Sequence, residues 1–242
     1  MLVSTVFPDK EFEFAGNAVH VWHADLSGVE EGTIEPADIL DNSERARASR
    51  LRVTQDRGQF IAAHRIARTL IGRYLGCTAN MVRFGAAANG KPCLLKSSEQ
   101  PDIRFNASRT LDHAVFGFAL AREIGIDVEC VEREAQPPAL YRQALSARES
   151  TMLRAIGGER AQWEGFLALW VRKEAFLKAR GDGLRLPVME VEIVPATGQV
   201  FLSGKEQPNW RVRDIALDPR CVAAVSVEGP GWQVTSIRSC AA

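Results

Sequence analysis

The sequence has no hydrophobic run that could cross a membrane, and its first residues do not show the pattern of a secretory signal peptide. Its apolar stretches fall short of the roughly 20 residues that a membrane-spanning helix needs. The first 20 residues include acidic side chains, whereas a secretory signal peptide begins with basic ones. With 46% hydrophobic and 25% charged residues, the composition is typical of a folded soluble protein. We therefore predict a cytoplasmic protein that does not bind membranes.

Closely spaced cysteine pairs are also missing. The five cysteines are odd in number and lie far apart in the chain: Cys77, Cys93, Cys130, Cys221 and Cys240. None belongs to a CxxC pair, so the sequence indicates neither a disulfide framework nor a zinc site. We interpret them as ordinary reduced thiols.

Net charge is absent overall but uneven along the chain. Thirty basic residues balance thirty acidic ones. Between Ser43 and Arg73, however, there are eight arginines but only two acidic residues, Glu44 and Asp56. This segment is either a binding site for an anion or a solvated helix face. Binding to nucleic acid is disfavoured, because the total charge is neutral and no aromatic residues alternate with these arginines.

The hydrophobic pattern of the first half predicts a strand, a helix and a hairpin. Val19, Val21 and Trp22 indicate a strand over Asn17–Leu26, and a helix is predicted over Asp56–Leu75. Two β-rich runs, 113–120 and 124–131, are separated by three residues and are interpreted as a hairpin.

The second half begins with helices and continues with strands. Ser146 and Glu149 form a capping box that starts one helix. A second helix is predicted over Ala161–Arg180, ending at Gly181. Strand-like runs then fill residues 191–237, so we predict a mixed α+β architecture.

Asp127 and Glu129 are the first candidate functional residues. In a strand they point to the same side, while Ile126 and Val128 point to the other. Two adjacent carboxylates suit a divalent cation such as Mg²⁺, although a solvent-exposed strand face would show the same pattern.

Glu174 is the second candidate, because it falls within an apolar arc of its predicted helix. Helical geometry predicts a narrow exposed strip made of residues 164, 168, 172, 175 and 179. A carboxylate outside that strip needs a partner. The partner is either Lys178, four residues further on, or a metal ion.

Four short motifs, which follow one another along the chain, resemble those of a known protein family. They are GKP at 90–92, FNxS at 105–108, GIDVE at 125–129 and WxxKEAxxKxxGxGL at 170–184. The set resembles the Sfp-type 4′-phosphopantetheinyl transferase family over most of the chain.

The resemblance implies a pseudo-twofold α+β fold of two similar halves, residues 1–120 and 121–242, with the active site in the cleft between them. It implies transfer of the 4′-phosphopantetheine arm of coenzyme A to a serine of an apo acyl or peptidyl carrier protein. The reaction would require Mg²⁺ and release adenosine 3′,5′-bisphosphate. Because both halves of the site lie in one chain, a monomer is expected.

The resemblance also assigns roles to residues. Asp127, Glu129 and Glu174 would bind the metal ion. Glu174 would also accept the proton of the carrier serine, and Lys178 would neutralise the pyrophosphate. Lys173 is expected to contribute to the same electrostatic field.

The phosphates of coenzyme A would contact five residues: Arg47, Arg50, Lys91, Ser108 and Arg109. Arg109 departs from the family, which usually has histidine at this position. Arginine keeps a cation there and adds a bidentate donor. The alternative function is a non-catalytic relative that only binds coenzyme A or a carrier protein, although retention of all three acidic residues argues against it.

Overall fold

The computed structural model describes residues 12–14, 16–29, 39–132, 141 and 143–241, with the backbone alone for Leu184 and for residues 236–241. The helices are α1 (Asn42–Ala48), α2 (Thr54–Leu75), α3 (Ala147–Arg154) and α4 (Glu159–Arg180). The strands are β1 (Ala18–Asp25), β2 (Phe84–Ala86), β3 (Pro92–Leu94), β4 (Ile103–Thr110), β5 (His113–Leu120), β6 (Ile124–Cys130), β7 (Val191–Val194), β8 (Gln199–Leu202), β9 (Lys205–Ile215), β10 (Cys221–Glu228) and β11 (Gln233–Ala241). In this part of the chain, no helix is long and apolar enough to cross a membrane.

The first sheet has the strand order β11-β1-β5-β4 and is covered by α2. Trp22, Phe116 and Phe118 of the sheet form one buried cluster with Leu70 and Ile71 of the helix. β1 pairs antiparallel with β5 and parallel with β11. β11 therefore completes a sheet formed mainly by the first half of the sequence, and the predicted boundary near residue 121 stays a prediction.

The second sheet has the order β6-β10-β9-β8-β7 and packs against α4. Both α2 and α4 contain 22 residues, so each sheet is covered by one long helix. The predicted mixed α+β class is confirmed. Both helices end where the sequence predicts, because Gly76 and Gly181 adopt the left-handed conformation at their C-caps.

The predicted exposed strip of α4 is wrong at two positions. Ala175 and Ala179 are fully buried, because α4 lies directly against β6 at Gly125. A Cβ atom on Gly125 would lie 2.1 Å from the Ala175 carbonyl oxygen and 2.2 Å from the Ala179 nitrogen. Small residues on both elements allow this close approach.

The predicted hairpin of β5 and β6 is also wrong. The two strands belong to different sheets, and β6 pairs with β10. The hairpin is instead formed by β4 and β5, where Thr110 pairs with His113 across a turn at Leu111 and Asp112. Leu111 has a positive φ of 42° in this turn. Apolar strands of similar composition do not identify their partners, and this turn contains no glycine that would have signalled it.

The two sheets meet in a shared apolar cluster. Val19 and Val115 of the first sheet pack with Ile126 and Val225 of the second. Beside this cluster, Ile126 donates its backbone N–H to Asn106 Oδ1 of β4 at 3.0 Å. The junction of β4 and β6 therefore holds the two sheets side by side.

Candidate active site at the junction of the two sheets

The polar residues of β4 alternate along the strand and reach across to β6. Asn106 holds the β6 backbone, as described above. Ser108 Oγ donates to Asp127 Oδ1 at 2.7 Å, and Thr110 Oγ1 donates to Glu129 Oε2 at 2.9 Å. Because side chains two residues apart share a face, β4 presents one donor to each carboxylate of β6.

Asp127 is the buried centre of this arrangement, with 4% of its surface exposed. Its Oδ1 also accepts a bond from Lys178 Nζ at 2.6 Å, and the same Nζ lies 2.9 Å from Ser108 Oγ. Its Oδ2 is buried and has no hydrogen-bond partner among the described residues. A buried oxygen without a donor costs about 1–3 kcal/mol, which a bound cation would offset.

Glu174 lies on α4 close to the same carboxylates. Burial raises its pKa, and the negative charges of Asp127 and Glu129 raise it further, while Lys178 lowers it. The ammonium of Lys178 donates to Asp127 and Ser108, so the predicted alternative of a simple Glu174–Lys178 pair does not describe the contacts of this lysine.

The three carboxylates fit a hard divalent cation. They supply only oxygen ligands, one of them has a buried oxygen without a donor, and burial together with their mutual repulsion raises the pKa of Glu174. In the described ranges, their oxygens do not form a group within 4.8 Å of one another. Lys178 occupies the position beside Asp127 Oδ1.

A cavity of about 730 Å³ opens beside Ser108 and Lys178, the two residues that contact Asp127, and none of the three carboxylates lines it. Arg47, Ser108, Arg109 and Lys178 are among its lining residues, and their predicted contact with phosphates stays a prediction. Phe84 and Phe105 provide an aromatic wall. The cavity can thus receive a ligand that has both anionic groups and an apolar or aromatic part.

Comparison with known proteins finds a matching family model for each half of the chain. Residues 123–225 match the 4′-phosphopantetheinyl transferase superfamily, and residues 30–119 match the family described as 4′-phosphopantetheinyl transferase, N-terminal. The 4′-phosphopantetheinyl transferase HetI of a Nostoc species is 33% identical over 89% of this chain and 90% of its own length. The chain belongs to the 4′-phosphopantetheinyl transferase family.

Two further members are similar over about four fifths of this transferase, and a solved structure is similar over less than half of it. The human L-aminoadipate-semialdehyde dehydrogenase-phosphopantetheinyl transferase is 28% identical over 79% of this chain and 68% of its own. The 4′-phosphopantetheinyl transferase Sfp of Bacillus subtilis is 29% identical over 80% of this chain and 84% of its own. The crystal structure of Thermotoga maritima holo-[acyl-carrier-protein] synthase is 26% identical, with a TM-score of 0.31, and covers 44% of this chain and 62% of its own.

Lys91 of this transferase does not line the cavity with the arginines. Its Nζ donates to Glu123 Oε2 at 2.7 Å and to the carbonyls of Ile124 and Ala179 at 2.9 and 2.7 Å. These three bonds use all the hydrogens of the ammonium group, and burial lowers its pKa. In this geometry Lys91 ties the GKP turn to β6 and to the end of α4, so contact with coenzyme A stays a prediction.

Arg50 and Lys173 also lie apart from the cavity. Arg50 is exposed and is not a lining residue. Lys173 is fully buried and donates to Glu149 Oε2 at 2.6 Å and to the Ala144 carbonyl at 2.8 Å. The prediction that Lys173 serves the metal site is therefore wrong, because this lysine joins α4 to the capping box of α3.

The arginines of residues 43–73 have two different roles, and their number alone could not show which arginine has which role. Arg47 reaches the cavity, whereas Arg68 is buried and donates to Glu44 Oε2 and Asp41 Oδ2, each at 2.7 Å. His64 lines the cavity and contacts Glu44 Oε1 at 2.9 Å, and was missed by sequence analysis. The available signal was the D-x-x-E capping box at 41–44, which anchors this network.

Gln59 was missed as well, and so was the contact of Thr110 with Glu129. Arg109 Nη1 donates to Gln59 Oε1 at 2.9 Å, so the amide holds the guanidinium at the edge of the cavity. Thr110 follows Ser108 by two residues, and its position on the same face of β4 was the signal that could have identified it.

Proposed function

We propose that this transferase binds Mg²⁺ with Asp127, Glu129 and Glu174 and moves the 4′-phosphopantetheine arm of coenzyme A onto a serine of an apo carrier protein. The second product is adenosine 3′,5′-bisphosphate. The observation that carries the proposal is the buried Asp127 Oδ2 without a donor, beside Glu174, whose pKa is raised by burial and by the neighbouring carboxylates.

The chemistry requires negative charge to be neutralised on the pyrophosphate of coenzyme A. A bound Mg²⁺ ion supplies this neutralisation when it is coordinated by the carboxylates. Lys178 adds a second positive charge at the boundary between the carboxylates and the cavity. Ser108 holds both Lys178 and Asp127 in position by accepting from one and donating to the other.

Glu174 is the proposed general base. A carboxylate with a raised pKa is a better proton acceptor than an ordinary glutamate, and a serine hydroxyl must lose its proton as it attacks the β-phosphate. Arg47 and Arg109 bind the phosphates of the nucleotide portion, since both residues line the cavity and a guanidinium group suits phosphate.

The reaction is tested by incubating the purified protein with coenzyme A, Mg²⁺ and several apo carrier proteins, followed by mass spectrometry of the carriers. We expect the mass of the phosphopantetheine group to be added, and EDTA to prevent it. Asp127→Ala and Glu174→Gln should abolish the transfer and remain folded by circular dichroism. Arg154→Ala, an exposed change on α3, is the control and should leave it intact.

An absence of modification on every carrier, together with retained binding of coenzyme A, would support the non-catalytic alternative. If transfer persists in EDTA and in the Asp127→Ala variant, the proposed metal site is contradicted, but the proposed transfer activity is not.

We also propose that the enzyme acts as a cytoplasmic monomer and does not bind nucleic acid. Both sheets that flank the cavity come from one chain, and the chain is neutral overall. Cys130 and Cys221 are free thiols with sulfur atoms 3.5 Å apart, a state that a reducing compartment maintains. Light scattering after gel filtration, which should report about 26.6 kDa, tests the oligomeric state.

A further inference from the structure

A second cluster of ligand-type side chains lies where β6 ends, one residue beyond Glu129. Cys130 of β6 and Cys221 of β10 stand opposite each other in the antiparallel ladder, with their sulfur atoms 3.5 Å apart. His113, the first residue of β5, contributes a ring nitrogen, and the three ligand atoms all lie within 4.8 Å of one another. The first sheet thus supplies the histidine and the second supplies both cysteines.

These distances suit a tetrahedral metal ion. Zinc lies about 2.3 Å from thiolate sulfur and 2.0–2.1 Å from imidazole nitrogen, which places neighbouring ligand atoms roughly 3.5–3.8 Å apart. Two sulfurs and one nitrogen are soft ligands, unlike the oxygen set of Asp127, Glu129 and Glu174. The cluster is therefore selective for a different metal from the one proposed for catalysis.

His113 is already oriented as zinc-bound histidines are. Its Nδ1 lies 2.9 Å from Nε2 of His23, and the two rings stack with their centroids 5.1 Å apart. This contact leaves Nε2 of His113 as the nitrogen that can bind a metal. In this arrangement Nε2 of His23 accepts the Nδ1 proton of His113 and fixes the orientation of its ring.

We propose that His113, Cys130 and Cys221 form a Zn²⁺ site that joins the two sheets. On binding, the two thiols release their protons to solvent, so the bound dication and two thiolates are neutral together. His113 and Cys130 are buried, while Cys221 is half-buried and provides the approach for the ion. The three side chains leave the fourth tetrahedral position for water.

The probe is Co²⁺, added to metal-free, fully reduced protein in the presence of excess Mg²⁺, which occupies the carboxylates. We expect one equivalent to bind per chain, with the thiolate charge-transfer and visible absorption of a tetrahedral cobalt site, and Zn²⁺ to displace it. Cys130→Ser and Cys221→Ser should lose this spectrum. Cys93→Ser is the matched control, because Cys93 lies outside the cluster, and should keep it.

Two further measurements make the test independent of folding defects. The His23→Ala variant keeps all three ligands but should bind Co²⁺ about 10–100-fold more weakly. Zn²⁺ should raise the thermal unfolding midpoint of the natural chain but not that of Cys221→Ser, a change at a half-buried position whose metal-free midpoint is measured first.

The proposal is overturned if Co²⁺ gives no thiolate spectrum, or if the spectrum persists unchanged in both serine variants. It is also overturned if the two cysteines form a disulfide in air even with equimolar Zn²⁺ present, since the pair would then be a redox pair.

Discussion

Glu174 is the residue whose environment bears most directly on the proposed cation site. It lies on α4 beside two carboxylates of β6, and its raised pKa means that the metal-free fold favours the protonated form more than an ordinary glutamate does. A cation would reverse that preference. The pH dependence of stability therefore reports on the site without any assay of activity.

We predict that replacing Glu174 with glutamine stabilises the metal-free protein at neutral pH. A raised pKa means that the folded state binds the proton more tightly than the unfolded state. The natural chain thus loses stability as pH rises from the ordinary value of 4.5 through the folded pKa. Urea unfolding at several pH values should show the two proteins converging under acidic conditions.

The same unfolding measurements repeated with Mg²⁺ test whether Glu174 binds the ion. At a concentration one hundred times its dissociation constant, it should stabilise the natural chain by about 2.7 kcal/mol and Glu174→Gln by much less. If the glutamine variant is instead the less stable protein at neutral pH without Mg²⁺, Glu174 serves as an internal ion-pair partner.

Arg109 is predicted to act in binding and not in the chemical step. Loss of a charge-assisted hydrogen bond costs about 1.5–3 kcal/mol, so Arg109→Ala should raise KM for coenzyme A about 10- to 150-fold with little change in kcat. Steady-state kinetics measures this, and Arg154→Ala should leave KM unchanged. An equal fall in kcat would place Arg109 in contact with the transferred group.

Local pattern was sufficient to identify most of these residues. Asp127 and Glu129 follow from strand alternation, and the family motifs indicated Ser108 and Lys178. The contacts that Lys91 and Lys173 make within the fold could not be predicted from these motifs. A motif records that a lysine is present, but only the fold shows which carboxylates and carbonyls its ammonium contacts.

At the scale of elements, β6 packs closely against α4 near the site, backbone against backbone at Gly125. Gly125 is needed there because the helix backbone occupies the space of a side chain. This contact also places Glu174 and Lys178 of the helix close to Asp127 of the strand.

Gly125→Ala is therefore predicted to destabilise the protein by at least about 1–3 kcal/mol, because the helix must move away from the strand. Urea unfolding gives the value. Gly157→Ala is the control, since an added Cβ there has nothing within 4 Å, and its effect should stay within about 0.5 kcal/mol. Equal stability of the two variants would show that α4 shifts at no cost.

Helix ends were predictable from sequence, whereas strand partners were not. Gly76 and Gly181 stop α2 and α4 by a local conformation, which sequence specifies directly. Pairing of β5 with β4, and of β6 with β10, depends on residues distant in the chain. Alternating apolar residues are compatible with several partners, so the hairpin at 113–131 was predicted wrongly.

At the scale of the whole molecule, β11 binds the two sequence halves together. It pairs with β1 along its entire length, from Ala18 with Gln233 to Asp25 with Ala241. We predict that truncation after Trp232 lowers the free energy of unfolding sharply, because the first sheet loses an outer strand and the backbone partners of β1.

Urea unfolding followed by tryptophan fluorescence measures this effect, since Trp22 and Trp232 are both buried. A truncation after Cys240 keeps nearly all of the β11 pairing and serves as the control. An unchanged unfolding midpoint after removal of β11 would show that β1 is held by β5 alone.

The position of β11 also has a consequence for how the chain is made. As the polypeptide leaves the ribosome, β1, α2, β4 and β5 emerge long before the strand that completes their sheet. Until then, one edge of β1 presents unpaired backbone groups that other chains can join. Contacts between residues so far apart in sequence also slow folding. The newly synthesised first half is therefore the stage at which this protein most needs protection from aggregation.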